Sequence, residues 1–161
     1  MISSLRLKRF LIAHSILVLD PHNFRPSLSD MLRPSMQTLK HIVVNFHDVD
    51  DDDDSLLRIP SEFEGMRTKN FIETVTIGIL LRLYANFRLV GDEWGRLDKI
   101  LTSPDWFSLK RVSLAIKIPS YNKRLTELQA LQKLPETRFP QLSASNSVSL
   151  GVILDFNPQA H

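Results

Sequence analysis

The chain has 161 residues, of which 43% are hydrophobic and 24% charged, enough apolar material for one globular domain with a sizeable core. It contains no cysteine, which excludes disulfides, thiolate catalysis and cysteine-ligated zinc. A net charge of +2 is too small to point to nucleic acid, and no apolar run reaches the ~18 residues of a membrane span, so neither partner is expected. The charge is nevertheless uneven. Residues 1–45 carry +4, residues 46–64 carry −7 and residues 65–161 carry +5, a basic body with one acidic segment. The opening MISSLRLKRFLIAHSILVLD sets basic residues before an apolar stretch. Arg9 interrupts that stretch and no small-residue cleavage site closes it before Asp20, so an intracellular setting, cytoplasmic or nuclear, is expected.

In chain order, Ile2, Leu5 and Leu7 form a first apolar triple, LxxLxL, whose final alternation puts two side chains on one strand face. Leu11–Leu19 is apolar enough for a buried strand or a short helix. Ser27 or Ser29 caps a short helix over Leu28–Leu32, stopped by Pro34. A second triple is Leu39, Ile42 and Val44, in a β-branched run. His47–Asp54 carries five adjacent Asp and no periodicity, so a solvated acidic loop is expected over about 47–55. Leu56, Leu57 and Ile59 lead to Pro60, with Ser61 opening a short turn or helix through Met66.

The third triple is Ile72, Val75 and Ile77. Asp92 and Glu93 suit a helix N-terminus, and Trp94, Leu97, Ile100 and Leu101 form its apolar face. Thr102-Ser103-Pro104 ends that helix. Trp106 and Phe107 are expected in the core at the return, and both tryptophans are assigned to core packing rather than to an interface. The fourth triple is Leu109, Val112 and Leu114, continued by Ile116 and Ile118 and broken by Pro119. Asn122 caps a helix to about Leu134, with Leu125, Leu128, Leu131 and Leu134 inward and Pro135 as its stop. A last strand runs through Val148, Leu150, Val152 and Leu154. Its first triple position, Ser145, is polar, and residues 157–161 read as a frayed tail.

The triples start at residues 2, 39, 72, 109 and, degraded, 145. One strand and one helix cannot bury their own apolar faces, whereas stacked units share a continuous core. The expected fold is therefore an α/β solenoid of leucine-rich-repeat type. It is a horseshoe segment of about five parallel strands with intervening helices and irregular long repeats, one domain over residues 1–156. A compact α/β domain with evenly spaced strands is the alternative, because the spacing exceeds ordinary leucine-rich repeats and no Asn or Cys ladder is present. Side chains alternating with the buried positions would line the concave face: Arg6, Lys8, His41, Val43, Asn45, Thr74, Thr76, Arg111 and Ser113. This mixed, mildly basic set suits a protein or peptide partner.

Catalytic signatures are scarce. Asp50, Asp52 and Asp54 have the first spacings of a calcium loop, but Ser55 stands where its Gly belongs and Ser61 where its Glu belongs. His47, Asp48 and Asp50 would be the centre of a metal-dependent enzyme, the rival reading; solvated side chains are the simpler account. No phosphate-binding glycine loop, nucleophile elbow or H-E-x-x-H occurs. No cofactor and no enzymatic activity is expected.

The pieces FRPSLSDMLRPSMQTLKHIVVNF, FEGMRTKNFIETVTIGI, DEWGRLDKILTSPDWFSLKRVSLAI and KLPETRFPQLSAS resemble the leucine-rich-repeat region of F-box domain-containing proteins of mushroom-forming (basidiomycete) fungi. GRLDKIL with FSLKRVSL is similar to that family's recurring helix "rLD-lL" and strand "sLkrV-l". The likeness runs from about Leu5 to Leu154. It implies a substrate-recognition module of a cullin-type ubiquitin-ligase receptor. The Leu-Pro-opened helical F-box has no counterpart here, so adaptor docking is not carried over. A truncated gene fragment with no independent function stays open beside the stand-alone module.

Overall fold

The computed structural model describes residues 16–19, 27–49, 55–67, 70–81, 93–119, 129 and 131–157. Five strands, β1 (Ile16–Leu19), β2 (His41–Val49), β3 (Thr74–Leu81), β4 (Arg111–Pro119) and β5 (Ser149–Asn157), form one parallel sheet in the order of the sequence. Between them lie α1 (Leu28–Leu32), α2 (Ser55–Gly65), α3 (Glu93–Leu101) with a 3-10 turn at Pro104–Trp106, and the short α4 (Leu134–Arg138) and α5 (Pro140–Ala144). Parallel neighbours require crossover connections, and the segments between strands supply them. Among the described residues no helix is long and apolar enough to cross a membrane.

β2, β3 and β4 repeat one pattern. Ile42 and Val44, Val75 and Ile77, Val112 and Leu114 are fully buried and stand opposite one another across the sheet. Their first-position partners Leu39, Ile72 and Leu109 are buried at the strand entrances. Against this face pack Leu32 of α1, Ile59 and Phe63 of α2, Trp94, Leu97, Ile100 and Leu101 of α3, Leu134 of α4 and Leu142 of α5. Each such aliphatic side chain contributes about 1.5–3 kcal/mol by leaving water. The tryptophans are core residues: Trp94 meets Phe139 edge-on at 5.5 Å and Trp106 meets Phe63 at 5.7 Å.

Local signals were followed closely in places. Ser27 caps α1, its Oγ accepting from Asp30 N at 3.2 Å. Leu131 and Leu134 are buried as expected; Leu125 and Leu128 lie outside the described residues. The strand that pairs with β2 is Ile16–Leu19, inside the Leu11–Leu19 stretch expected as strand or short helix, with Leu17 and Leu19 opposite Ile42 and Val44; the triple Ile2, Leu5 and Leu7 lies outside the described residues. Elsewhere the structure corrects the expectation. The register equivalents Leu17, Ile42, Val75, Val112 and Leu150 are thus 25, 33, 37 and 38 residues apart, less even than the triples suggested.

Around the acidic run, β2 continues through His47 to Val49 and α2 begins at Ser55. Only residues 50–54 of the expected loop remain, outside the described residues. α2 does not start at Ser61: it runs through Pro60, which lacks an N–H for the carbonyl four residues back. The helix expected before Pro135 is seen at residues 129, 131 and 132 and ends in a turn at Lys133; Pro135 itself sits in the first turn of α4, where no N–H is needed. Phe107 leaves the core at 64% exposure, because the turn that directs Trp106 inward directs its neighbour out. Asn157 belongs to β5 rather than to the tail, pairing with Pro119.

The fifth unit also has a different register. Leu150 and Val152, not Val148 and Leu150, stand opposite Val112 and Leu114. Ser145 is polar for a local reason. Its Oγ accepts from Ser147 N at 3.3 Å and Val148 N at 3.1 Å, tightening the turn into β5.

Two buried polar side chains fix the connections between elements. Asn70 donates through Nδ2 to Met66 O at 2.8 Å and accepts from Ile72 N at 3.4 Å, closing the passage from α2 to β3. Asp98, 1% exposed on α3, accepts from Gln141 N at 2.9 Å and Leu142 N at 2.8 Å, so one carboxylate satisfies two otherwise free amides at the start of α5. Charge-assisted bonds of this kind are stronger than neutral ones, and removing the acceptor orphans two amides at once. Asp98→Ala is expected to cost about 3 kcal/mol in urea unfolding, with Asp98→Asn intermediate; an unchanged midpoint for the alanine variant would remove Asp98 from the account.

Candidate binding face

Side chains alternate along a strand, so burial of Ile42, Val44, Val75, Ile77, Val112 and Leu114 turns their neighbours to the opposite side. Seven of the nine residues expected on the concave face stand there together: His41, Val43, Asn45, Thr74, Thr76, Arg111 and Ser113. Arg6 and Lys8 lie outside the described residues. The parallel register sets the face in rows. His41, Thr74, Arg111 and Ser149 form the first, Val43, Thr76, Ser113 and Gly151 the second, and Asn45, Gly78, Ala115 and Ile153 the third. None of these residues is in the buried cluster that holds the apolar sides of the helices.

The face has low relief at its centre because Thr76, Gly78, Ser113, Ala115 and Gly151 are small. Gly78 leaves room for the Asn45 side-chain amide, which leans across it from β2, and a Cβ there would have to displace that amide. Around this floor stand the imidazole of His41, the guanidinium of Arg111, the ammonium of Lys117 and the carboxylate of Asp155. The surface therefore offers hydrogen-bond donors and acceptors of both kinds with a modest excess of positive charge. The three residues Gly78, Ala115 and Ile153 follow from the alternation that located Asn45, once the register is known.

At the strand starts the face meets a charged clamp. Glu73 binds Lys40 at 2.9 Å and Lys110 at 2.6 Å, joining the entrances of β2, β3 and β4. The hydrogen bond from Lys110, then that from Lys40, lowers the Glu73 carboxyl from its ordinary 4.5 to about 2. Beside it Phe71 and Phe107 meet edge-on at 5.5 Å, and the Lys40 ammonium lies 5.8 Å from the Phe71 ring centre. Both rings are exposed. Neither was singled out as a surface residue from sequence, where an aromatic beside an apolar triple reads as core.

A second group of ions lies between the helices. Arg67 stands 3.5 Å from Glu64 and 3.2 Å from Asp105, and Arg96 also bonds Glu64. The pairs link α2 to α3 and to the 3-10 turn. At this exposure each stabilises little alone.

Of the three residues of the rival metal centre, two have a described backbone. His47 and Asp48 fall in β2, where the pairing with β3 shifts between Phe46 and Val49, and Asp50 lies outside the described residues. Among the described residues no group of three or more His, Cys, Asp or Glu is placed to hold a metal ion. Comparison of the chain with protein-family models, with curated proteins and with solved structures returns no match.

The clamp has a testable signature in acid. Because folding lowers the Glu73 pKa, its contribution is complete above pH 4.5 and is lost as pH falls through about 2. Thermal unfolding of the native sequence is expected to lose stability over that window more steeply than Glu73→Gln. Parallel profiles for the two proteins would show that the lysines do not hold the carboxylate in solution.

Proposed function

We propose that this chain is a non-catalytic protein-interaction module, a leucine-rich-repeat-like solenoid whose open sheet face receives a protein or peptide partner. The observation that carries the reading is the alignment of seven side chains, chosen by alternation alone, into register rows on one sheet face opposite the helices. Repeat folds use such a face because stacked strands present a continuous surface with evenly spaced side chains. The sequential strand order, with the same buried pair in neighbouring units, supports the solenoid as the finer description of the α/β fold. The likeness of GRLDKIL and FSLKRVSL to fungal F-box proteins extends the proposal to substrate recognition for a ubiquitin ligase. On this reading the small central residues admit a partner backbone closely, and Arg111, His41 and Lys117 favour acidic side chains around it.

The test is selection of binders from a random peptide display library on the immobilised chain. Selected peptides are expected to be enriched in acidic residues and to lose about tenfold or more in affinity for Arg111→Glu and for Ser113→Trp. Peptides that bind both variants as tightly as the native chain would place recognition elsewhere and overturn the proposal.

A further inference from the structure

Among the described residues the exposed large hydrophobic side chains are Phe71, Phe107 and Ile153, and the first two touch. Phe71 is 39% and Phe107 64% exposed, with their rings edge-on at 5.5 Å. Single exposed apolar side chains are ordinary, whereas rings brought together from two units form a patch. The patch lies within the stack. Phe71 precedes β3 and Phe107 precedes β4, with β2 on one side of them and β5 on the other.

Direct contacts tie the pair to the clamp at the strand entrances. Phe107 meets Phe71, the Lys40 ammonium lies 5.8 Å from the Phe71 ring centre, and Glu73 joins Lys40 at 2.9 Å to Lys110 at 2.6 Å. Two ammoniums share one carboxylate, so the clamp keeps an excess of positive charge. Each ammonium carries three donors, more than its bond to Glu73 uses. The Lys110 side chain is 70% exposed, and Arg111 beside it is exposed as well. Asp105, the carboxylate nearest to Phe107 in the chain, is held by Arg67 at 3.2 Å. An apolar patch thus adjoins a cationic one whose charge is only half answered.

That charge decides the class of occupant. A cationic partner would meet unanswered like charge, and a wholly apolar one would take the spare lysine donors out of water without replacing their bonds. A bulky apolar side chain with a carboxylate beside it answers both halves of the patch. Anionic membranes are held by clusters of unpaired basic side chains together with inserted apolar ones. Here one carboxylate already bridges the two lysines and the rings lean on each other, which favours a peptide.

We propose that the Phe71–Phe107 pair and the Lys40–Glu73–Lys110 clamp form a docking corner for a peptide segment in which an aromatic side chain is flanked by carboxylates. The incoming ring covers the two phenylalanines, and a carboxylate completes the lysine clamp. The corner borders the open face at the row of His41, Thr74 and Arg111. It does not rest on a partner occupying that face, because its contacts are made by residues that precede the strands.

The probe is the tripeptide acetyl-Glu-Trp-Glu-amide, titrated into the isotope-labelled chain at neutral pH and followed by amide chemical shifts. Shifts are expected at residues 71–74 and 107–111, with a Kd on the order of millimolar. Acetyl-Gln-Trp-Gln-amide, which lacks the charge, and acetyl-Glu-Ala-Glu-amide, which lacks the ring, are each expected to bind about fivefold or more weakly. Phe107→Ala and Lys110→Gln, both at exposed side chains, are expected to weaken the probe by a similar factor. The control peptides test the same contacts without altering the chain, so the proposal stays falsifiable if a variant folds poorly. An absence of shifts at the strand entrances, or equal binding of the three peptides, overturns it. Shifts confined to the sheet centre, at residues 76–78 and 113–115, overturn it while leaving the open-face reading in place. Binding to vesicles of phosphatidylserine in phosphatidylcholine that Phe107→Ala abolishes, without any response to the tripeptide, assigns the corner to a membrane and overturns it too.

Discussion

The starts of the strands hold the register on which the whole architecture depends. The carbonyl of Lys40 accepts from Glu73 N and Thr74 N at 2.8 and 3.0 Å. The carbonyl of Glu73 accepts from Lys110 N and Arg111 N at 2.9 and 3.1 Å, and that of Lys110 accepts from Ser149 N at 2.8 Å. The same three residues are joined by their side chains in the Lys40–Glu73–Lys110 clamp. A slip of one residue would exchange the two faces of a strand, exposing an apolar pair and burying hydroxyls and charges. Stitching each strand to the one before it thus determines both the core and the open face.

From that register the packing follows. A strand that offers two or three inward aliphatic residues and one short helix cannot bury them alone, so each unit depends on the next. The helices lean on one another in chain order, and cross-unit bonds join them within their layer: Asp98 of α3 to the amides of α5, and Glu64 of α2 to Arg96 of α3. Stability is therefore shared along the stack. In β5 the inward Leu150, Val152 and Leu154 pack against this core partly buried.

Much of this was legible in the residues because alternation and helical spacing are strong local signals. Ile42 with Val44, Val75 with Ile77, and Val112 with Leu114 identified three strands and their inward faces, and Trp94, Leu97 and Leu101 identified the wet and dry sides of α3. The first strand was half legible: Leu11–Leu19 reads as a buried strand or a short helix, because Ile16–Leu19 is apolar throughout and shows no alternation, and its pairing with β2 decides for strand. Asp98 was missed as a structural residue because acids are assigned to the wet face. Its place, four residues after Trp94 and three before Leu101, puts it on the apolar stripe and was the available clue. Phe107 was misread because size and hydrophobicity say nothing about which way a tight turn points. On the candidate face the strands supplied seven of nine residues, whereas Gly78, Ala115 and Ile153 needed the register between strands.

The face assignment is tested most directly by thiol reactivity in this cysteine-free chain. Single cysteines at Thr76 and Ser113, both half-buried, should react with a neutral alkylating reagent in the folded protein, more slowly than a free peptide thiol. Cysteines at their neighbours Val75 and Val112, similar in volume to the residues they replace, should be protected until the protein unfolds. Protection at all four positions would mean that the proposed face is covered. Reactivity at Val75 and Val112 with protection at Thr76 and Ser113 would contradict the register itself.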